Sequence, residues 1–186
     1  MTQQHILDQL FKNYNILIQR IDAHTRSIMD NLGANIACKK GCDDCCQFLT
    51  LFPVEAFALS RAFAALSQHD RERVMSQARA GEDACPLLVD HVCMVYQARP
   101  VICRTHGFPI YLEKDGDIMV DFCTKNFKGI KEIPKSALLD IDQLNILLTA
   151  VNQNFMAHFD ADLPDRIPVS DALQLWSVLD IEPIGS

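Results

Sequence analysis

Eight cysteines carry the reactive chemistry of this 186-residue sequence, and none lies before Cys38 or after Cys123. Four of them fall in one stretch, Cys38-Lys39-Lys40-Gly41-Cys42-Asp43-Asp44-Cys45-Cys46; the other four, Cys85, Cys93, Cys103 and Cys123, follow downstream. Thiolates are ligands for soft and borderline metals, and a set of four closes a Zn²⁺ site or holds an iron–sulfur cluster. Several ligands in one loop lower the entropy of assembling such a site, and Gly41 permits the tight turn between Cys38 and Cys42. Cys45 and Cys46 are adjacent. Consecutive Cα atoms lie about 3.8 Å apart, short of the usual disulfide range, and neighbouring side chains tend to diverge. One of the pair is expected to face a metal and the other to serve a second metal or the apolar core.

Four thiolates around a dication leave a net charge of about −2, which calls for cations and N–H donors nearby. Arg104, beside Cys103, is the first candidate for that role, with Arg99 the second; Lys39 and Lys40 are expected to remain solvated. Asp43 and Asp44 are expected to face water, since further negative charge next to thiolates is unfavourable. His91 and His106 lie among the cysteines but are read as ordinary loop histidines, because the thiolates already suffice. Phe48, Leu51, Val92, Val101 and Ile102 are apolar neighbours able to shield a cluster from water. A catalytic cysteine would need a lowered pKa and a base, which Cys103 with Arg104 and His106 could supply. No Ser/His/Asp arrangement, phosphate loop or dinucleotide fingerprint points to an identifiable reaction, so no catalytic residue is assigned.

With all eight cysteines considered together, the sequence resembles the YkgJ-type cysteine-cluster family, described as zinc- or iron-chelating. The resemblance rests on Cys42-Asp-Asp-Cys45-Cys46, Cys85-Pro-Leu-Leu88, Cys93-Met-Val-Tyr96, Arg99-Pro100 and Cys103-Arg104, with Cys123 downstream. It departs from the family motif C-x2-C-x2-C-C at Cys38, which stands one residue further away. The resemblance implies metal chelation by Cys38, Cys42, Cys45, Cys46, Cys85, Cys93, Cys103 and Cys123. It implies no single agreed activity. The expected cofactor is an iron–sulfur cluster or Zn²⁺. Iron–sulfur is the favoured of the two, since Cys85-Pro86 is similar to the Cys-Pro that closes bacterial ferredoxin motifs. The alternative function is an iron–sulfur-dependent oxidoreductase or other cluster-dependent enzyme.

The rest of the chain bounds these readings. Its formal charge of −7 disfavours nucleic acid and anionic membrane surfaces as partners. The N-terminal sequence lacks the pattern of a signal peptide, and no apolar run approaches the roughly 20 residues that cross a bilayer. A cytosolic protein is expected, where thiols stay reduced; a disulfide framework would belong to an oxidising compartment.

The elements that must position the cysteines follow from apolar periodicity. Leu7, Tyr14, Ile21 and Ile28 recur every seventh residue, Phe11, Ile18 and Leu32 fill the intervening row, and Thr25 breaks it. That pattern predicts one helix over 4–32 that packs on the chain's own core, the alternative being a protein partner or homodimer formed through its seam. Pro53 and Glu55 open a helix to about Leu66. A polar, exposed helix follows over 70–80, closed by Gly81. Asp90-His91 and Lys114-Asp115-Gly116 each sit between strand-like runs and predict hairpins, with a turn or single helical turn over 99–104 between them. A second long helix is predicted over 136–159, where Asp140 and Gln143 resemble a capping box, and a short one from Ser170 to Leu179. The expected fold is a single, mostly α domain with one or two small β-hairpins. It divides into an N-terminal helix (1–33), a cysteine-cluster core (34–128) and a C-terminal helical extension (129–186).

Overall fold

The computed structural model describes residues 3–39, 41–80, 84–114, 117–159 and 163–178. Helices dominate, accompanied among the described residues by two two-stranded sheets and one three-stranded sheet. The predicted N-terminal helix is present as α1 (Gln3–Leu10) and α2 (Lys12–Leu32). Phe11, at φ −91° and ψ 2°, separates them, although the hydrogen bonds from Phe11 N to Leu7 O and from Asn15 N to Phe11 O carry through. This is a local distortion rather than a stop. Its predicted seam is buried: Leu7, Phe11, Tyr14, Ile21 and Ile28 all lie inside, joined by Leu17 and by Thr25. Thr25 fits because its hydroxyl donates to Asp22 O within the same helix.

The seam is spent on the chain's own core. Leu7, Phe11 and Tyr14 pack with Val54 and Phe57 of α3 (Pro53–Ala64) and with Leu148 and Phe155 of α6 (Ile141–Met156). Phe155 lies with its ring centre 5.4 Å from that of Phe11 and 5.5 Å from that of Phe57. Pro53 occupies the first turn of α3 as predicted, and Glu55 turns back to accept from Phe52 N. The polar helix α4 (Gln68–Ala80) begins earlier than expected because the Ser67 hydroxyl accepts from Asp70 N, and it is docked by the fully buried Val74. Gly81, the expected stop, lies outside the described residues.

The middle of the chain is held by short elements. β1 (Thr50–Leu51) pairs antiparallel with β7 (Ile167–Pro168), so the C-terminal segment is sewn to the chain just after the cysteine loop. The predicted hairpin at Asp90-His91 is present as β2 (Leu88–Val89) and β3 (Val92–Cys93). Both turn residues adopt positive φ, 49° and 61°, as a two-residue turn matched to strand twist requires. α5 (Val101–Thr105) is the single helical turn expected there. β4 (Ile110–Lys114) and β5 (Asp117–Asp121) form the second hairpin, whose Asp115-Gly116 turn lies outside the described residues. β6 (Leu139–Asp140) then pairs in parallel with β4. That pairing explains why α6 begins at Ile141 and not at 136: Pro134 opens a 3₁₀ turn, the chain adds a strand, and Asp140 then accepts from Gln143 N as the cap. α7 (Val169–Ala172) and α8 (Leu175–Val178) close the C-terminal segment, with Trp176 buried and its backbone N–H donating to Ser60 Oγ at 2.7 Å. Among the described residues no helix is long and apolar enough to cross a membrane.

Candidate metal centre

The cysteine loop is shaped by its own backbone before any side chain is considered. Gly41, at φ +89°, makes a turn that an L side chain would strain, and Cys42 N donates to Lys39 O across it. That turn accommodates the additional residue between Cys38 and Cys42. Cys46 N donates to Asp43 O at 2.8 Å and closes a second turn. The loop is then tied to the remaining cysteine segments. Cys46 O accepts from Cys85 N at 3.0 Å, and Gln47 bridges Ala84. Cys93 stands opposite Leu88 in the β2–β3 hairpin. Cys103 rides on α5, whose first N–H, that of Val101, is received by the buried Glu55 carboxylate at 2.9 Å.

The two carboxylates of the loop are not simply solvated. Asp43 Oδ2 lies 2.7 Å from His91 Nδ1, and Asp44 pairs with Lys125. Each therefore latches the loop to a different neighbour: Asp43 to the hairpin that carries Cys93, Asp44 to the segment that follows Cys123. The Asp43 bond raises the His91 pKa, and Lys125 holds the Asp44 carboxyl below its usual range. Pairing with these cations relieves the repulsion that argued for solvent.

The thiols sort into two groups. Cys38 has Cys42, Cys123 and Cys45 as its electrostatic neighbours, and Cys45 has Cys42 and Cys123. Cys103 has Cys85, Cys93 and Cys46, while Cys46 has Cys45 first, its thiol hydrogen-bonded to that of Cys45, and then Cys85 and Cys93. The link between the groups is the adjacent pair Cys45 and Cys46. All eight cysteines are free thiols. Burial pushes the Cys46 thiol up to about 12, with the neighbouring thiols adding to the effect. Burial and the same neighbours bring Cys103 to about 12 against the opposing charge of Arg99. Burial also raises Cys38, Cys45, Cys85 and Cys93. Without a metal, burial therefore favours the protonated form of these thiols. A nucleophilic role for Cys103 gains no support, since an activated thiol needs the opposite shift.

The expected cations are placed unequally. Arg104 is buried and turned to α2: its Nη1 donates to both Asp22 carboxylate oxygens at 2.6 and 2.7 Å, and its Nε donates to Arg99 O at 2.6 Å. It positions α5 rather than facing a thiol. Arg99 is the cation beside the second group, with Nη1 donating to Cys103 O at 3.4 Å and its guanidinium 3.6 Å from the Tyr96 ring centre. Lys39 is exposed, and Lys40 lies outside the described residues. Of the apolar neighbours, Leu51 and Val101 are buried in the core, whereas Phe48 and Ile102 are exposed.

Asn126 serves the first group and was not singled out by sequence reasoning. It is 2% exposed; its Oδ1 accepts from Ala37 N at 2.9 Å and its Nδ2 donates to Gly107 O at 2.8 Å and to Cys38 Sγ at 3.4 Å. Nothing in the sequence marks an asparagine three residues after a cysteine. Gly107 stands against it at φ +86°; a Cβ there would lie 3.1 Å from Asn126 Nδ2 and 3.4 Å from both Cys38 Sγ and Cys123 Cβ. Gly107→Ala is therefore expected to lose about 2 kcal/mol from left-handed strain and crowding, read as a lower urea midpoint with unchanged slope.

The segment 37–124 matches the sequence model of the CxxCxxCC family, described as a putative zinc- or iron-chelating domain. Over that segment the chain is similar to the CxxCxxCC family. The match takes in every cysteine of both groups, and Cys38 lies inside it despite its displaced spacing. No curated protein and no solved structure matches the chain. In donor type and number the segment fits a Cys₄-ligated group: soft sulfur donors, four in each neighbourhood, none consumed by a disulfide. Among the described residues no group of three or more His, Cys, Asp or Glu side chains is placed to hold a metal ion, so the expected cysteine-rich metal core is not assembled in this structure.

Proposed function

We propose that the segment 37–124 is a metal-holding module whose eight cysteines, Cys38, Cys42, Cys45, Cys46, Cys85, Cys93, Cys103 and Cys123, chelate Zn²⁺ or an iron–sulfur cluster. The observation that carries this reading is the sorting of eight free thiols into two neighbourhoods of four. A bound ion or cluster would supply the positive charge that keeps the thiolates ionised and would add to the backbone and side-chain bonds that already tie these segments together. Arg99 would offset part of the resulting negative charge at Cys103 and Cys93. Asn126 would donate to the Cys38 sulfur. Free thiols in this number suit a reducing compartment, and we place the protein in the cytosol.

A second reading, an iron–sulfur oxidoreductase, is favoured by the packing of Cys85 and Cys93 against the apolar core that contains Leu87, Val89 and Val95. Such packing excludes water from a cluster and tunes its potential. One sample of protein purified under nitrogen tells zinc from a cluster, and redox titration of a cluster then decides between the two readings: one that cycles supports the oxidoreductase, a redox-silent one the module. Zinc without colour supports a structural or metal-handling module. Iron with equimolar acid-labile sulfide and a broad band near roughly 400 nm, the thiolate-to-iron charge-transfer region, supports a cluster. Protein that purifies without metal and cannot be loaded with either would sink both readings.

A further inference from the structure

On either side of the linked pair Cys45 and Cys46, whose thiols are hydrogen-bonded to each other, the cysteines have unlike surroundings. Cys38, Cys42 and Cys45 come from one loop, with Cys38 and Cys45 exposed and Cys42 half-buried. Their fourth neighbour, Cys123, follows the exposed strand β5. This outer group is tied down by the Asp43–His91 and Asp44–Lys125 pairs at the surface and by Asn126 beneath. Cys46 comes from the same loop as Cys45, Cys85 and Cys93 from the β2–β3 hairpin region and Cys103 from α5, and all four are half-buried. Cys85 and Cys93 pack on the core built from Leu51, Leu59 and Phe63, and Cys103 sits on the turn α5 held by Glu55 and Arg104.

We infer that the chain holds two separate metal sites of unequal lability: an inner one, at Cys46, Cys85, Cys93 and Cys103, that keeps its ion, and an outer one, at Cys38, Cys42, Cys45 and Cys123, that exchanges a soft divalent cation with its surroundings. This rests on the chelation reading above. The physical ground is the cost of opening each site. A competing ligand replaces thiolates one at a time and needs access to each sulfur in turn. At the outer site that access requires only a surface loop to lift, which is a low-energy local opening. At the inner site it requires the β2–β3 hairpin and α5 to part from the core, which approaches global unfolding. The extra residue before Cys42, taken up at Gly41, adds to the freedom of the outer loop.

The test uses the full chain purified under nitrogen and challenged with excess 4-(2-pyridylazo)resorcinol, which reports both released zinc and released iron. Two phases of equal amplitude are expected, the first at least about tenfold faster than the second. In Cys38→Ser, an exposed position whose replacement leaves the core intact, the fast phase is lost and the slow one keeps its rate, while native mass spectrometry shows half the metal of the parent. Far-UV circular dichroism of the variant confirms that it is folded. Release of all metal in one phase, metal held by a single group of cysteines, or loss of all metal in Cys38→Ser overturns the two-site division and leaves chelation standing. Protein that binds no metal at all overturns the division and the chelation reading together.

Discussion

Stripping the metal from the full chain lowers its melting temperature by about 10 °C or more and leaves most of the far-UV helical signal in place. The helical scaffold explains what survives: α1, α2, α3 and α6 share an apolar cluster that contains no cysteine. The loss comes from segments 34–49, 84–109 and 122–130, whose regular structure amounts to short strands and single turns. A ligand present at 1,000 times its dissociation constant stabilises the native state by about 4 kcal/mol. In a chain of this length each kcal/mol is worth about 2–4 °C. The pH dependence has a definite sign. Burial and the neighbouring thiols hold Cys46 and Cys103 up at about 12, so binding has to expel protons and affinity rises with pH. About four protons should be released per ion in weakly buffered titrations. In the metal-depleted protein the sign reverses. There the folded state keeps protons that unfolded thiols give up above about 8.5, so stability is complete below that pH and declines as pH climbs toward the raised values. Melting curves with and without chelator at several pH values check both statements. An unchanged melting temperature after verified metal removal would end the structural reading of the metal.

Arg104→Ala is the substitution expected to cost most outside the cysteines. Its guanidinium is 7% exposed on the side chain and bonds the Asp22 carboxylate and the carbonyls of Arg99 and Gln97. Truncation leaves those two carbonyls without their donor and the Asp22 carboxylate without its counter-charge. With the arginine buried but Asp22 partly exposed, losing these charge-assisted bonds costs about 2–3 kcal/mol, or a fall of roughly 5–10 °C in melting temperature at this size. Asp22→Asn should cost less, because Asp22 is 37% exposed and the arginine keeps its two carbonyl bonds. Arg104→Lys should fall between them, since an ammonium cannot reproduce a planar fork of donors. Denaturant midpoints of the three variants give the order directly. Because Arg104 joins α2 to the turn that carries Cys103, Arg104→Ala should also speed metal loss from the Cys46 group more than from the Cys38 group. Equal acceleration of both would mean that the effect is global loosening.

Much of this protein was legible in its linear sequence because the relevant signals are local. The seven-residue recurrence from Leu7 to Ile28 specified a helix with a buried seam, and Asp140 with Gln143 specified a cap. Asp90-His91 between β-branched runs marked a hairpin, since a two-residue turn demands positive φ there. The clustering of cysteines pointed to the CxxCxxCC family, whose sequence model matches 37–124. The tertiary structure decided what depends on distant segments meeting. It kept the Cys45 and Cys46 thiols hydrogen-bonded to each other instead of divergent, while Cys46 O pairs with Cys85 N and Cys38, earlier in the same loop, meets Asn126 and Cys123. It gave Arg104 to Asp22, 82 residues away, and left Arg99 beside Cys103. It left Asp44 exposed, as expected, and Asp43 partly buried, and gave them Lys125 and His91, respectively, as partners that neither spacing nor composition could reveal. Periodicity and turn chemistry are written in neighbouring residues, whereas the pairing of charges and the grouping of thiols follow from how the elements pack.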